Sequence, residues 1–301
     1  MITRVATFAM SERMLEASMR TQSRMSEAQL QQASGAVSTD YGGLGRSAGT
    51  LVSLEVSLAR SKSQSSAAAE AGSRVQVMYD AVGSMSELMS SFRTSLSSAI
   101  SAGGDDDATL AATAQSLLDE FASLLNTRFE GRYLFAGSDT GTAPVDLSAY
   151  AATDAATQDK SYYQGNSVKA SVALSSERTL TYGVTGDASA FEQALRALSA
   201  VANATTPPDT ETLQAISDLT VDAIDQLAVV QAKLSIDAAT LERSTTAQTD
   251  YQDEATRLIT AINGADVTAL AVELSSYETQ LQASYAALAK VQSLNLMDYL
   301  N

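Results

Sequence analysis

Apolar residues recur along most of this chain at intervals of three and four, the spacing that places them on one face of an α-helix lying along another helix. The last run, residues 266–300, carries Leu270, Leu274, Tyr277, Leu281, Leu288 and Val291 in this rhythm, with Ser284 out of step. Its flanks are Ala, Ser and Gln with few charges, so the helix needs a neighbour. The spacing predicts a looser amphipathic helix over residues 1–33, with Val5, Phe8, Met10, Met14, Leu15, Met19, Met25 and Leu30 as its apolar positions. The most regular frame lies between, in a helix predicted over 48–100, where Val75, Met78, Val82, Met85, Met89, Phe92 and Leu96 alternate three and four.

Three further helices complete the pattern. One is predicted over 107–129 with Leu110, Leu117, Phe121 and Leu124, its start marked by Gly103, Gly104 and the acids Asp105 to Asp107. Another runs from about Ala188, with Phe191, Leu195, Leu198 and Val201, and stops before Pro207 and Pro208. The longest covers 210–263, with Leu213, Ile216, Leu227, Val230, Leu234, Leu241, Tyr251, Leu258 and Ile262. Asn263 and Gly264 break it, and Asp266 is placed to cap the final helix. Five glycines between Gly35 and Gly49 mark a turn or hinge.

The period changes to two between Gly131 and Gly186. Arg132 to Gly137 reads as a strand closing on a turn. Val168, Ala170, Val172 and Leu174 alternate after Gly165 and Asn166, as do Leu180, Tyr182 and Val184. Such segments are hairpins of a small antiparallel region. Some fifty residues bury little core by themselves, so the insert is expected to lean on the helices it interrupts. The fold class is therefore mainly α, a long antiparallel coiled-coil rod with its terminal helices paired and one inserted antiparallel β domain. The expected divisions are 1–45 with 265–301 as a terminal assembly domain, 46–130 with 188–264 as the helical rod, and 131–187 as the insert.

Composition narrows the chemistry. The net charge is −16 and no His, Cys or Trp occurs. The acidity removes a phosphate-tracking face and with it nucleic acid. Without His or Cys the common general base, thiol nucleophile and soft metal ligands are missing, so neither an enzyme nor a cofactor is expected. Asp139, Asp146, Asp154 and Asp159 fall in no cation-loop spacing and read as solvated surface. The glycines at 42–45 lack the Lys and Ser/Thr of a phosphate loop. No apolar run is long enough for a membrane span, and no cleavable signal pattern opens the chain. Five arginines lie in residues 1–46, whereas 265–301 has four acids against Lys290, a bias that weakly favours pairing of the termini. The candidate interface is the apolar set of the two ends: Val5, Phe8, Met14, Leu15, Met19, Leu270, Leu274, Tyr277, Leu281, Leu288, Val291, Leu294 and Leu296.

Three stretches carry a resemblance: Ile2 to Thr7, Gln32 to Gly35, and Gln292 to Leu300. With them the chain resembles the bacterial flagellin family over nearly its whole length. Asn126, Arg128, Phe129, Gly131, Arg132, Tyr133, Leu134, Phe135 and Gly137 resemble the hook–filament junction branch of that family, where filament flagellins usually carry a Phe-Asn-Gly type sequence. Ser34-Gly35-Ala36 departs from the commoner Ser-Gly-Lys-Arg, so no basic contact carries over there. The resemblance implies a hook-to-filament adaptor, exported unfolded through the flagellar type III channel to an extracellular flagellum. Its implied partners are further copies, a neighbouring hook-associated protein, flagellin, and a cytoplasmic chaperone on the C-terminal helix. The alternatives are a filament-forming flagellin or, from another class, a secreted tip or binding protein that uses the insert.

Overall fold

The computed structural model describes residues 2–102, 107–148, 150–152 and 154–297, with the side chains of 2–8, 107 and 292–297 outside the description. Of the acidic start expected at 105–107, Asp105 and Asp106 fall outside it, and Asp107 opens the third helix. Six helices follow in order: α1 (Ile2–Ser34), α2 (Ala48–Ala102), α3 (Asp107–Leu125), α4 (Ser189–Ala202), α5 (Thr210–Asn263) and α6 (Val267–Met297). A short 3₁₀ segment, Tyr41–Ser47, precedes α2. Between α3 and α4 lie β1 (Arg128–Phe129), β2 (Arg132–Tyr133), β3 (Ala170–Ala173) and β4 (Thr179–Tyr182), paired antiparallel as two hairpins. The chain is thus mainly α with a small β insert. It divides into two compact units, 1–60 with 251–301, and 61–250.

The larger unit, 61–250, holds the continuous apolar core. All seven residues of the regular α2 frame, Val75 to Leu96, are buried there. α5 runs antiparallel to α2: Ser61 donates to Gln248 Oε1 at 2.7 Å, Gly72 faces Leu241, and Gly83 faces Gln231. From α5 the core receives Leu213, Ile216, Ala223, Leu227, Leu234 and Leu241. Tyr251 and Leu258, expected in that frame, lie in the other unit and are 43% exposed. On α3 the buried stripe is Leu110, Ala114, Leu118, Phe121 and Leu125, one step from the Leu117 and Leu124 expected. Ala114 supplies the missing beat, and apolar counting passes over it.

α3 ends at Leu125, four residues before the expected Phe129. The reason is local chemistry. Asn126 uses its side-chain amide on the backbone of Val145, donating to the carbonyl at 2.9 Å and accepting from the N–H at 3.0 Å. Thr127 turns back onto the Leu124 carbonyl through its N–H and its hydroxyl. A β-hairpin follows at once. Glu130 and Gly131, both left-handed (φ 51° and 77°), form its two-residue turn. The strand expected over Arg132 to Gly137 stops at Tyr133. Beyond it Leu134, Phe135 and Ala136 enter the core as irregular chain, and their carbonyls are used from elsewhere. Gly186 N–H and the Tyr163 hydroxyl donate to Phe135 O, and Asn166 N–H to Ala136 O.

Helix α4 is buried on nearly every side. Phe191 stacks edge-on against Phe135 (5.6 Å between centroids) and Phe121 (6.5 Å). Its polar residues are buried as well. Glu192 forms an ion pair with Arg196, whose Nε lies 2.9 Å from Oε1 and whose Nη2 donates to Oε2 at 3.3 Å, and it accepts the Asp159 N–H at 3.0 Å; Arg196 also donates to Ala155 O, and Ser199 donates to Ala152 O. A polar-looking loop is thereby fastened to a core helix. Beside this cluster burial, and then the charges of Asp159 and Glu192, push the Tyr150 phenol above the ordinary tyrosine range.

Candidate assembly surface

The smaller unit, residues 1–60 with 251–301, is built on the pairing of α1 with α6. Sequence chemistry at one place sets the geometry. Gly35 adopts φ 67° and its N–H closes the last turn of α1 on Gln31 O at 2.8 Å, the left-handed stop that glycine makes cheaply. The chain then meets the junction of α5 and α6: Ala36 bridges Gly264, Val37 N–H donates to Asn263 O at 2.8 Å, and Ala265 N–H to Gly35 O at 2.9 Å. The Asn263 side chain completes the clasp, accepting from Ser38 N–H at 3.0 Å and donating to Ser38 O at 3.2 Å. Gly264 has Thr260 O and its methyl against it, leaving no room for a Cβ. Asp266 then caps α6, accepting from Thr268 and Ala269 N–H at 3.0 Å each. Because α1 ends where α6 begins, the two helices run antiparallel.

Burial shows which faces meet. On α6 the covered residues are Leu270, Leu274, Tyr277, Leu281, Ser284, Leu288 and Val291, the 3–4 frame including its one polar beat, with Ala287 beside it. On α1 they are Ser11, Met14, Ser18, Thr21, Met25, Ala28 and Gln31, again at 3–4 spacing. The α1 side of the seam is made of small and polar residues. Ser18 (4% exposed) and Leu281 (9%) lie at nearly the same distance from the clasp. A small residue opposite a large one lets the helices approach closely without a wide apolar stripe on α1.

The other large apolar side chains of α1 among the described residues are left uncovered by α6. Met10 is 58% exposed, Leu15 48%, Met19 56% and Leu30 63%. On α6 Val267, Val272 and Tyr285 are exposed likewise. The candidate residues thus divide. Met14 and the six α6 positions from Leu270 to Val291 belong to the inner seam, and Leu15 and Met19 to the outer face. The side chains of Val5, Phe8, Leu294 and Leu296 lie outside the described residues. Counting apolar residues alone misses Ser18, Thr21 and Ala28. The signal that finds them is a 3–4 repeat of small residues in step with Met14 and Met25. Arg20 pairs with Glu16 on its own helix at 3.7 Å.

The second candidate set, Asn126 to Gly137, is brought together around the first hairpin, where most of its members have roles in the fold. Asn126 pins Val145. The guanidinium of Arg128 lies 4.2 Å from the centre of the Tyr133 ring. Phe129 pairs with Arg132 across the turn, whose second residue is Gly131. Leu134 and Phe135 are buried. Gly137 (φ 71°) has the Asn166 backbone where a Cβ would be. Among the described residues no group of His, Cys, Asp or Glu is arranged to hold a metal ion, and no helix is long and apolar enough to cross a membrane. Asp146, Asp154 and Asp159 instead accept from the N–H two residues ahead, closing local turns.

The fold and this surface define a mainly helical chain whose first and last helices are paired and whose first helix leaves several large apolar side chains exposed. Residues 218–300 match the bacterial flagellin C-terminal helical region, so that α6 and most of α5 fall within the flagellin pattern. The likeness to flagellins read from the sequence thus rests on a family match as well. No curated protein matches the chain. Among solved structures, one from Vibrio parahaemolyticus, described as a candidate flagellar hook-associated protein, is 17% identical over 71% of this chain and 96% of its own, with a TM-score of 0.59. That likeness establishes a shared fold. Bacillus cereus FlgL is 15% identical over 70% of this chain and 96% of its own, with a TM-score of 0.44.

Proposed function

We propose that this protein is a structural subunit of the bacterial flagellum, an adaptor between hook and filament that assembles through its paired terminal helices. The observation that carries this reading is the set of large apolar side chains that α1 leaves exposed, Leu15, Met19 and Leu30 on one side and Met10 on another, in a unit whose partner helix lies within a flagellin C-terminal region. Leu15 and Met19 stand one turn apart, and contiguous exposed apolar side chains mark a protein–protein surface. The small residues of the inner seam support the same reading, since they hold α1 against α6 while leaving its larger side chains for other subunits. The adaptor role, ahead of the filament subunit, is supported by Asn126 to Gly137, where filament flagellins usually carry a different sequence. Export as an unfolded chain, with a chaperone covering α6 beforehand, belongs to the same proposal.

Electron microscopy of cells lacking the gene tests it. An adaptor leaves hooks without filaments, and flagellin appears in the medium. A filament subunit gives the same bare hooks, but its purified chain then grows long filaments on added seeds, which an adaptor does not. Normal filaments on the mutant cells overturn both readings.

A further inference from the structure

The larger unit exposes few big apolar side chains, and three of them gather at one place. Val229 (61% exposed) and Ile236 (65%) lie two turns apart on the outer side of α5, away from Leu227, Leu234 and the core. Lys233 stands between them. Val168 (61%) is brought alongside by the second hairpin: Ala170 pairs with Tyr182, and the next residue, Gly183, donates its N–H to Asp237 on α5 at 3.1 Å. Lys169, next to Val168, neighbours Lys233, and this like-charged neighbour holds its pKa below the usual lysine value. Asp237 and Asp187 act on it in the opposite direction. The result is an apolar patch with two lysines at its centre, in a chain of net charge −16.

The smaller unit carries the complement. Val52 (38% exposed) and Val56 (53%) are one turn apart on α2 with Glu55 beside them. Tyr41 (52%) lies over the same turn, its hydroxyl donating to Glu55 Oε2 at 2.8 Å. Other apolar–acidic combinations of this unit fit less well. Tyr251 and Leu258 flank Glu254, which is already paired with Arg257 at 3.3 Å, and Val272 with Glu273 belongs to the terminal helix pair. We infer that a second copy of this chain docks its Tyr41–Val52–Glu55–Val56 patch on the Val168–Val229–Ile236 patch, with Glu55 facing Lys169 and Lys233.

The two surfaces differ, so one such contact leaves the complementary patch of each copy free to take a further copy unless both patches pair reciprocally. A handful of aliphatic side chains covers much less than the roughly 800 Å² per partner of a stable interface, so this contact is accessory to that of the terminal helices. In that sense it rests on the assembly proposed above.

The chain has no cysteine, so Val52→Cys and Ile236→Cys variants of the full protein can be mixed and oxidised cleanly. A disulfide-linked pair is expected in the mixture and not with either variant alone. Adding Lys233→Glu to the Ile236→Cys chain is expected to cut the linked product about tenfold, and adding Glu55→Lys to its partner to restore it. Sedimentation of the same samples separates the two ideas. Assembly without the mixed link, or a link as abundant in the single variants, overturns this contact alone. A link without assembly supports the contact and overturns the functional reading. Absence of both overturns both.

Discussion

Replacing Leu15 and Met19 together with serine tests the division of α1 into an inner and an outer face. Fully burying a Leu or Met side chain stabilises by about 1.5–3 kcal/mol. Leu15 is 48% exposed and Met19 56% in the single chain, so about half of that gain remains for a neighbouring subunit to realise. The unrealised part is about 1 kcal/mol per residue, or about 2 kcal/mol per contact for the pair. At 1.4 kcal/mol per decade this raises the protein concentration needed for assembly by a factor of about 30. The folded monomer should hardly change, because substitutions at solvent-facing positions usually shift stability by under about 0.5 kcal/mol. Sedimentation across a dilution series measures the first quantity, and thermal unfolding followed by circular dichroism the second. Leu281→Ala is the control in the opposite sense, loosening the α1–α6 seam and costing about 2–5 kcal/mol as a buried Leu. The reasoning is refuted if the serine double variant assembles at the wild-type concentration, or if its monomer loses stability as Leu281→Ala does.

Other consequences follow from single residues. Arg196→Met leaves the Glu192 carboxylate buried without its partner and should cost about 3–5 kcal/mol, with new proteolysis in 150–160. Changing Glu192 to Met as well should recover part of it, and a double variant worse than the single one contradicts the pairing. Glu130→Gly relieves a left-handed non-glycine residue at the turn of the first hairpin and should stabilise the larger unit by about 1 kcal/mol, read as a rise in its denaturant midpoint. Asn263→Ala removes both side-chain bonds of the clasp; hydrogen exchange at Val37 and Ser38 should accelerate, and unchanged protection there would contradict the clasp. Acid should weaken the insert. Burial raises the pKa of Asp187, but hydrogen bonds from Thr185 and Ser167 and the charge of Lys160 outweigh it and bring it below the ordinary 3.8. A depressed carboxylate stabilises above the unfolded value, and that stability is lost as pH falls below about 3.8 through the folded one. Acid unfolding of Asp187→Asn should therefore be less steep in that window than in the wild type, and superimposable profiles would argue against it.

How much of this was legible beforehand depends on how local the cause is. α2, α5 and α6 could be read to within a few residues, and the Val75 to Leu96 stripe residue by residue. Each rests on a 3–4 repeat, a capping side chain or a glycine stop, all written in consecutive positions. The pairing of the ends was foreseeable from their two unfinished apolar faces. Which α1 residues would face inward was not, because Ser18, Thr21 and Ala28 are chosen by the bulk of Leu281 and its neighbours across the seam. The early end of α3 and the brief β2 likewise depend on partners far along the chain, Val145 for Asn126 and Gly186 for Phe135. Glu192 and Arg196 look like a surface i,i+4 pair until the loop at 155–159 closes over them. The one-dimensional pattern thus determines the helices, their stops and the sticky ends, since helix periodicity and capping act between near neighbours. Tertiary structure alone decides which side of each helix is spent internally and which is left for other molecules, because burial is settled by whatever packs opposite.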